Sequence, residues 1–176
     1  MTDATTQTAV AALPFNDAVP GAVMEVTKNG LVVAAEKLLD LATYLRDQEG
    51  YDYLSMVTSV DWPQYFEVVY YLYQVGSRAS GALTQRGGAA GDNRTLSPTP
   101  LVLKVRLPDK ANPVVPSLIA VFPGADLQER EVYDMMGIRF AGHPNLRRIL
   151  LWDGFEGWPL RKDYDDPNVI KRPDYI

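Results

Sequence analysis

The 176-residue sequence predicts an α+β fold, an antiparallel sheet with helices on one face, continued by an extended irregular C-terminal tail. Three observations predict it. Residues 51–61, 65–75 and 101–107 are rich in β-branched and aromatic side chains. Residues 34–48 carry apolar side chains at helical spacing, and residues 126–136 read as a second helix. Beyond Gly142 the periodicity stops, while prolines recur at 144, 159, 167 and 173.

Each element follows from local chemistry. Residues 1–20 are Ala/Thr-rich with Pro14 and Pro20, and read as a mobile or partner-dependent tail. A domain spanning 21–142 then begins with a short strand at 22–27. Lys28-Asn29-Gly30 favours a tight turn, and residues 31–33 pair back. In the helix at 34–48, Leu38, Leu41, Ala42 and Leu45 form one face and Gly50 stops it. Trp62-Pro63 separates the strands at 51–61 and 65–75. Residues 76–100 have almost no large apolar side chain and read as a flexible insert between two hairpin strands. The alternating run at 101–107 pairs with 65–75. Pro113 and Pro116 frame a turn, 117–122 is a short helix, and Asp126 with Glu129 has capping-box spacing for the helix at 126–136. Residues 143–176 form an extended docking segment.

Composition limits the function. Hydrophobic residues at 47% and charged residues at 22% suit a globular domain, and a net charge of −5 gives no general attraction to nucleic acid. Without cysteine the chain offers no disulfide, thiolate-held cluster or cysteine nucleophile. The N-terminus lacks the pattern of a signal peptide, and no apolar run approaches the ~18 residues of a membrane span. Charge is uneven: residues 1–50 carry three basic and seven acidic groups, residues 139–162 five basic and two acidic. That local basic excess points to an acidic protein surface as partner.

The densest mixture of ionic and bulky apolar groups lies between Glu129 and Tyr164. On a helical projection Leu127, Glu131, Asp134 and Ile138 share an arc, so Glu131 and Asp134 are expected on a partly buried face. Carboxylates there need cations, and Arg147, Arg148, Arg161 and Lys162 are available. Two readings follow: a paired-carboxylate acid/base site including His143, or an ion network pinning the tail to the domain. The second is favoured, because no nucleophile accompanies the lone histidine. Arg130 is expected on the exposed side, between Asp126 and Asp134. His143, in a Gly-His-Pro turn, has no metal-ligand spacing and reads as a backbone-bonded turn residue. Residues 149–152, Phe155, Trp158, Pro159 and Leu160 are too apolar for a free tail. Residues 149–152 are expected to fold back while the proline-rich end reaches a partner.

The run Glu129-Arg130-Glu131, with Asp134, Gly137-Ile138, Gly142-His143-Pro144 and Arg148, resembles the family of the C subunit of NADH-quinone oxidoreductase, respiratory complex I. So does Pro159-Leu160-Arg161-Lys162-Asp163-Tyr164, supported by Phe66-Glu67-Val68-Val69-Tyr70 and Lys104-Val105-Arg106-Leu107-Pro108. The resemblance covers about residues 22–166. It implies a peripheral-arm subunit on the cytoplasmic side of the membrane, without cofactor or catalytic residue of its own. FMN, iron–sulfur clusters and quinone would lie on other subunits. It further implies packing on the D subunit, which is like a hydrogenase large subunit, and on the iron–sulfur B subunit, with a role in assembly. On this resemblance Glu129, Arg130, Glu131, Asp134, His143, Arg147, Arg148, Trp158, Arg161, Lys162, Asp163 and Tyr164 form an interface and ion network. Related ferredoxin-driven quinone oxidoreductases and membrane-bound hydrogenases share such subunits, so the electron donor stays open.

Overall fold

Lys28 and Asn29 turn the chain between strands β1 (Val23–Thr27) and β2 (Gly30–Val33). The Thr27 hydroxyl fixes the turn by donating to the Gly30 carbonyl at 2.7 Å. This is a computed structural model, and it describes residues 15–75 and 99–166. The insert between them, residues 1–14 and residues 167–176 lie outside the described residues.

A short 3-10 turn, Ala35–Lys37, leads into helix α1 (Leu38–Asp47). Its buried residues are Leu38, Leu41, Ala42 and Leu45, as the spacing predicts. Burying each leucine is worth about 1.5–3 kcal/mol relative to exposure, ample to fix which face turns inward. Strands β3 (Tyr53–Asp61) and β4 (Phe66–Tyr73) form a hairpin, and β5 (Leu101–Leu107) pairs antiparallel with β4. The five-stranded sheet has the order β1-β2-β5-β4-β3. Phe66, Val68, Tyr70 and Leu72 of β4 alternate into one core with Leu103, Val105 and Leu107 of β5 and the buried faces of the helices. Helix α2 (Ala125–Met136) adds Ala125, Val132 and Met136, so both helices serve the same sheet face.

The structure departs from the sequence reading in five places. The β2–β5 pairing is parallel, joining Leu31 to Leu103, because the chain crosses over through α1, β3 and β4 before β5. Phe15 and Val19, assigned to the N-terminal tail, are buried in the core, which carries the packed domain back to Phe15. The turn expected at Pro113 and Pro116 contains a strand, β6 (Val114–Pro116), parallel to β7 (Arg139–Ala141). Here two β-branched valines prevail, and Pro116 needs no ladder donor at the strand end. The expected helix at 117–122 is a single turn in which the Leu118 carbonyl accepts from the Val121 and Phe122 N–H groups. Last, α2 is capped by the backbone of Gly124, and Glu129 reaches away from the helix start, so no capping box forms.

Candidate functional site

Helix α2 sorts its side chains into three stripes. Ala125, Glu129, Val132 and Met136 are buried toward the core, and Leu127 and Glu131 face out. Between them Asp126, Arg130 and Asp134 follow one another at four-residue intervals. The tail runs along this polar stripe from one end of the helix to the other.

At the start, the His143 ring is wholly buried. Its Nε2 lies 3.2 Å from the Asp126 carbonyl oxygen and 3.3 Å from Asp126 Oδ1. Nδ1 accepts the Asn145 N–H at 3.1 Å, so the ring carries its proton on Nε2. In the middle, the buried Arg130 guanidinium donates to the carbonyls of Arg147 and Arg148. It is not the exposed i,i+4 partner the spacing suggested, because the tail covers that side of the helix.

Asp134 is the main clasp. Its Oδ2 accepts three consecutive N–H groups, from Ile149, Leu150 and Leu151, at 3.0, 2.7 and 3.0 Å. Oδ1 accepts from Arg148 at 2.7 Å, and the same guanidinium reaches the carbonyls of Asp134 and Gly157. A buried carboxylate with four donors replaces its lost hydration in full. Past the helix end, Leu160 donates to the Met135 carbonyl and Arg161 Nε to that of Met136 at 2.6 Å. A cation there opposes the negative end of the helix dipole. The Arg161 guanidinium is held between the Trp158 ring at 4.2 Å and the Phe66 ring at 4.9 Å. Gly137, in the left-handed region at φ 69°, leaves room for Trp158.

Asp61, at the end of β3, is a second clasp. Its carboxylate accepts from the Lys110 ammonium and, at 2.9 Å, from the Lys162 N–H. Nothing in the sequence around Asp61 signals this, since its tail partner lies 101 residues on. Tyr164 stacks on Phe155, with ring centroids 6.1 Å apart.

The expected Glu131/Asp134 pair does not form. Glu131 is exposed, and the second buried carboxylate is Glu129. The projection placed Leu127, Glu131, Asp134 and Ile138 on one arc, but Asp134 and Ile138 are buried while Leu127 and Glu131 face out. Leu127 is exposed, and the phase is set by Ala125, Val132 and Met136. Glu129 accepts from the Ser117 hydroxyl at 2.6 Å and the Leu118 N–H at 2.7 Å, tying α2 to the loop after β6. Arg147, Lys162 and Asp163 are exposed, although the Lys162 backbone is clasped. Pro159-Leu160-Arg161-Lys162 is docked on the domain and does not project from it. Among the described residues no group of three or more His, Asp and Glu side chains is placed to hold a metal ion.

Burial pushes the Asp134 carboxyl up, but the Leu151 N–H, the Arg148 guanidinium and the Leu150 and Ile149 N–H groups outweigh it and hold it below the usual 3.8. Burial likewise raises Asp61, and Lys110 and the Lys162 N–H overcome it. A depressed folded-state pKa gives stability that is complete above the unfolded value and is lost as pH falls through the folded one. Glu129 has the opposite sign. Burial raises it above 4.5 despite Ser117 and Leu118, so its contribution declines as pH rises from 4.5 through its folded value. Tryptophan emission is therefore expected to stay flat on acidification until below pH 3.8, where the two aspartates release the tail. A transition well above pH 3.8 would show that these two aspartates do not hold the tail.

The Tyr70 hydroxyl is buried in the core, and among the described residues it has no hydrogen-bond partner. Burial, and then the nearby Glu129 charge, raise its pKa well above 10. Tyr70→Phe removes an unsatisfied polar group at nearly constant shape. It is expected to be neutral or to stabilise by up to about 1 kcal/mol in urea unfolding. A loss of 2 kcal/mol or so would mean that the hydroxyl has a partner in solution.

Residues 31–168 match the family described as respiratory-chain NADH dehydrogenase, 30 Kd subunit. The chain is 41% identical over 136 residues to the NADH-quinone oxidoreductase C subunit of Moorella thermoacetica, covering 76% of this chain and 78% of that one. It is 42% identical over 139 residues to the C subunit of Sinorhizobium medicae, covering 76% of this chain but 58% of the relative, less than two thirds of its length. In fold it is similar to a chain of the membrane-bound sulfane sulfur reductase, an archaeal respiratory membrane complex, with a TM-score of 0.63 at 23% identity over 90% of this chain and 86% of that one.

Proposed function

The chain belongs to the family of the 30 kDa subunit of respiratory-chain NADH dehydrogenase, and from that membership we propose that it is a peripheral-arm subunit supporting assembly of the quinone-reducing module. The observation that carries this reading is the family match over residues 31–168. It takes in every clasp of the tail, Asp61, Asp134, Arg148 and Arg161 included. In this reading the subunit works by shape. Asp61, Arg130, Asp134 and Arg148 hold the tail to the domain, and electron transfer runs through FMN, iron–sulfur clusters and quinone held by other subunits. Its neighbours are the D subunit, which is like a hydrogenase large subunit, and the iron–sulfur B subunit, at the cytoplasmic face of the membrane. No helix among the described residues is long and apolar enough to cross a membrane, and in this reading other subunits hold the chain there.

The test is affinity capture of the tagged chain from gently solubilised membranes, with mass spectrometry of the co-purifying proteins. A hydrogenase-like large subunit and an iron–sulfur subunit in stoichiometric amounts are expected. The electron-input subunits that accompany them identify the donor as NADH or ferredoxin. Recovery of the chain alone from the soluble fraction would count against the reading.

A further inference from the structure

Among the described residues the four most exposed large hydrophobic side chains all lie on α2 or the tail that covers it: Leu127 at 60%, Leu150 at 61%, Trp152 at 68% and Leu160 at 62%. The clasps fix the backbones of two of them, Leu150 and Leu160, to the helix that carries Leu127. Leu127 flanks the Asp126–Arg130–Asp134 stripe, the Leu150 N–H is bonded to Asp134, and the Leu160 N–H to Met135. Large exposed apolar side chains concentrated on one helix and the tail bound to it mark a contact surface.

We propose that this row is the docking surface for a neighbouring polypeptide of the assembly, one that presents an apolar recess bordered by arginine or lysine. The proposal rests on the functional reading above and adds to it the anchors and the chemistry of the partner. The first support is that Trp152 is rigidly presented. Its ring meets Phe155 edge-on, with centroids 4.8 Å apart and planes at 81°. Phe155 stacks in turn on Tyr164 and lies beneath Arg148, which is tied to Asp134. An aromatic side chain that is two-thirds exposed and yet fixed has little left to lose on binding, and such residues dominate interface energetics.

The second support is the sign of the surrounding charge. The sequence suggested a basic patch, but Arg148 and Arg161 turn inward onto Asp134, carbonyls and aromatic rings. The exposed charged groups of α2 and of the tail from residue 143 to 166 are Glu131, Asp153, Glu156, Asp163 and Asp165 against Arg147 and Lys162. The net field at this surface is therefore acidic, and a complementary partner rim is cationic.

The test compares the tagged full-length chain with Trp152→Ala/Leu150→Ala, produced in the native host and recovered with its complex. Both side chains are exposed, so the melting temperature of the free variant should change by no more than about 2 °C. Capture of the partner subunits should fall about tenfold or more. Glu131→Lys/Asp153→Lys should also weaken capture, most at low salt, while Arg147→Glu leaves it unchanged or stronger. Hydroxyl-radical footprinting of the wild type gives an arm free of substitutions: Trp152 oxidation should be suppressed in the complex relative to the free chain. Normal capture by Trp152→Ala/Leu150→Ala, or unprotected Trp152, would overturn the proposal and leave the functional reading intact. Loss of capture on reversing Arg147 alone would overturn the cationic rim. A free chain that sediments as a dimer until Trp152 is replaced would make the partner a second copy. A wild-type chain that brings down no oxidoreductase subunit would overturn the functional reading itself.

Discussion

Asp134→Ala is expected to destabilise the protein by about 3–5 kcal/mol, the cost of removing one partner from a buried charged cluster. The substitution strands the Ile149, Leu150 and Leu151 N–H groups and leaves Arg148 facing only carbonyls. For a chain of this length that is a fall of roughly 10 °C in melting temperature. Asp134→Asn should be nearly as harmful although it keeps the shape. Whichever way the amide turns, its NH2 faces donors: the three N–H groups on one side or Arg148 on the other. Urea unfolding of both variants checks the claim. A near-normal Asp134→Asn would mean that shape, not charge, holds the tail.

Gly137→Ala is expected to cost about 3 kcal/mol, from two sources. A side chain at φ 69° is strained by about 1–2 kcal/mol. In addition the new Cβ runs into the Trp158 ring and the Arg161 guanidinium, and overpacking adds about 1–3 kcal/mol. Gly142→Ala separates the two. Its φ is 84°, but nothing among the described residues lies within 4 Å of the added carbon, so it should suffer the backbone cost alone. Equal losses at the two positions would show that Trp158 yields freely and that the tail is not clamped at the helix end.

These two residues also mark what the sequence discloses. Leu38, Leu41, Ala42 and Leu45 stand out because their spacing matches the helix and their burial follows the pattern. In α2 the helix is legible but its phase is not. Its inward stripe contains a glutamate and an alanine, while a leucine points outward. Hydrophobicity misleads there because Glu129 is satisfied by Ser117 and Leu118, two groups from a loop with no visible link to it. The parallel β2–β5 pair and the three-residue strands β6 and β7 are settled by non-local packing, which no short window contains. Asp134, Arg148 and Arg161 were marked by the resemblance. Asp61 had no marker, because a lone acid at a strand end looks like any surface residue until the tail arrives.

The closure at Asp61 also bears on when the protein becomes usable. Chains are synthesised from the N-terminus, so β3 exists long before its tail partner. The Asp61–Lys162 contact spans 101 residues, and closing a loop of that size costs about 4 kcal/mol in chain entropy. Until residues 143–166 emerge, the Asp126, Arg130 and Asp134 groups of α2 face water. Phe155, which supports Trp152, comes beneath the Asp134-bound Arg148 only once the tail has met the helix. On the proposed docking surface, recognition waits on completion of the fold: an unfinished or misfolded copy lacks the set indole that the proposal makes its anchor.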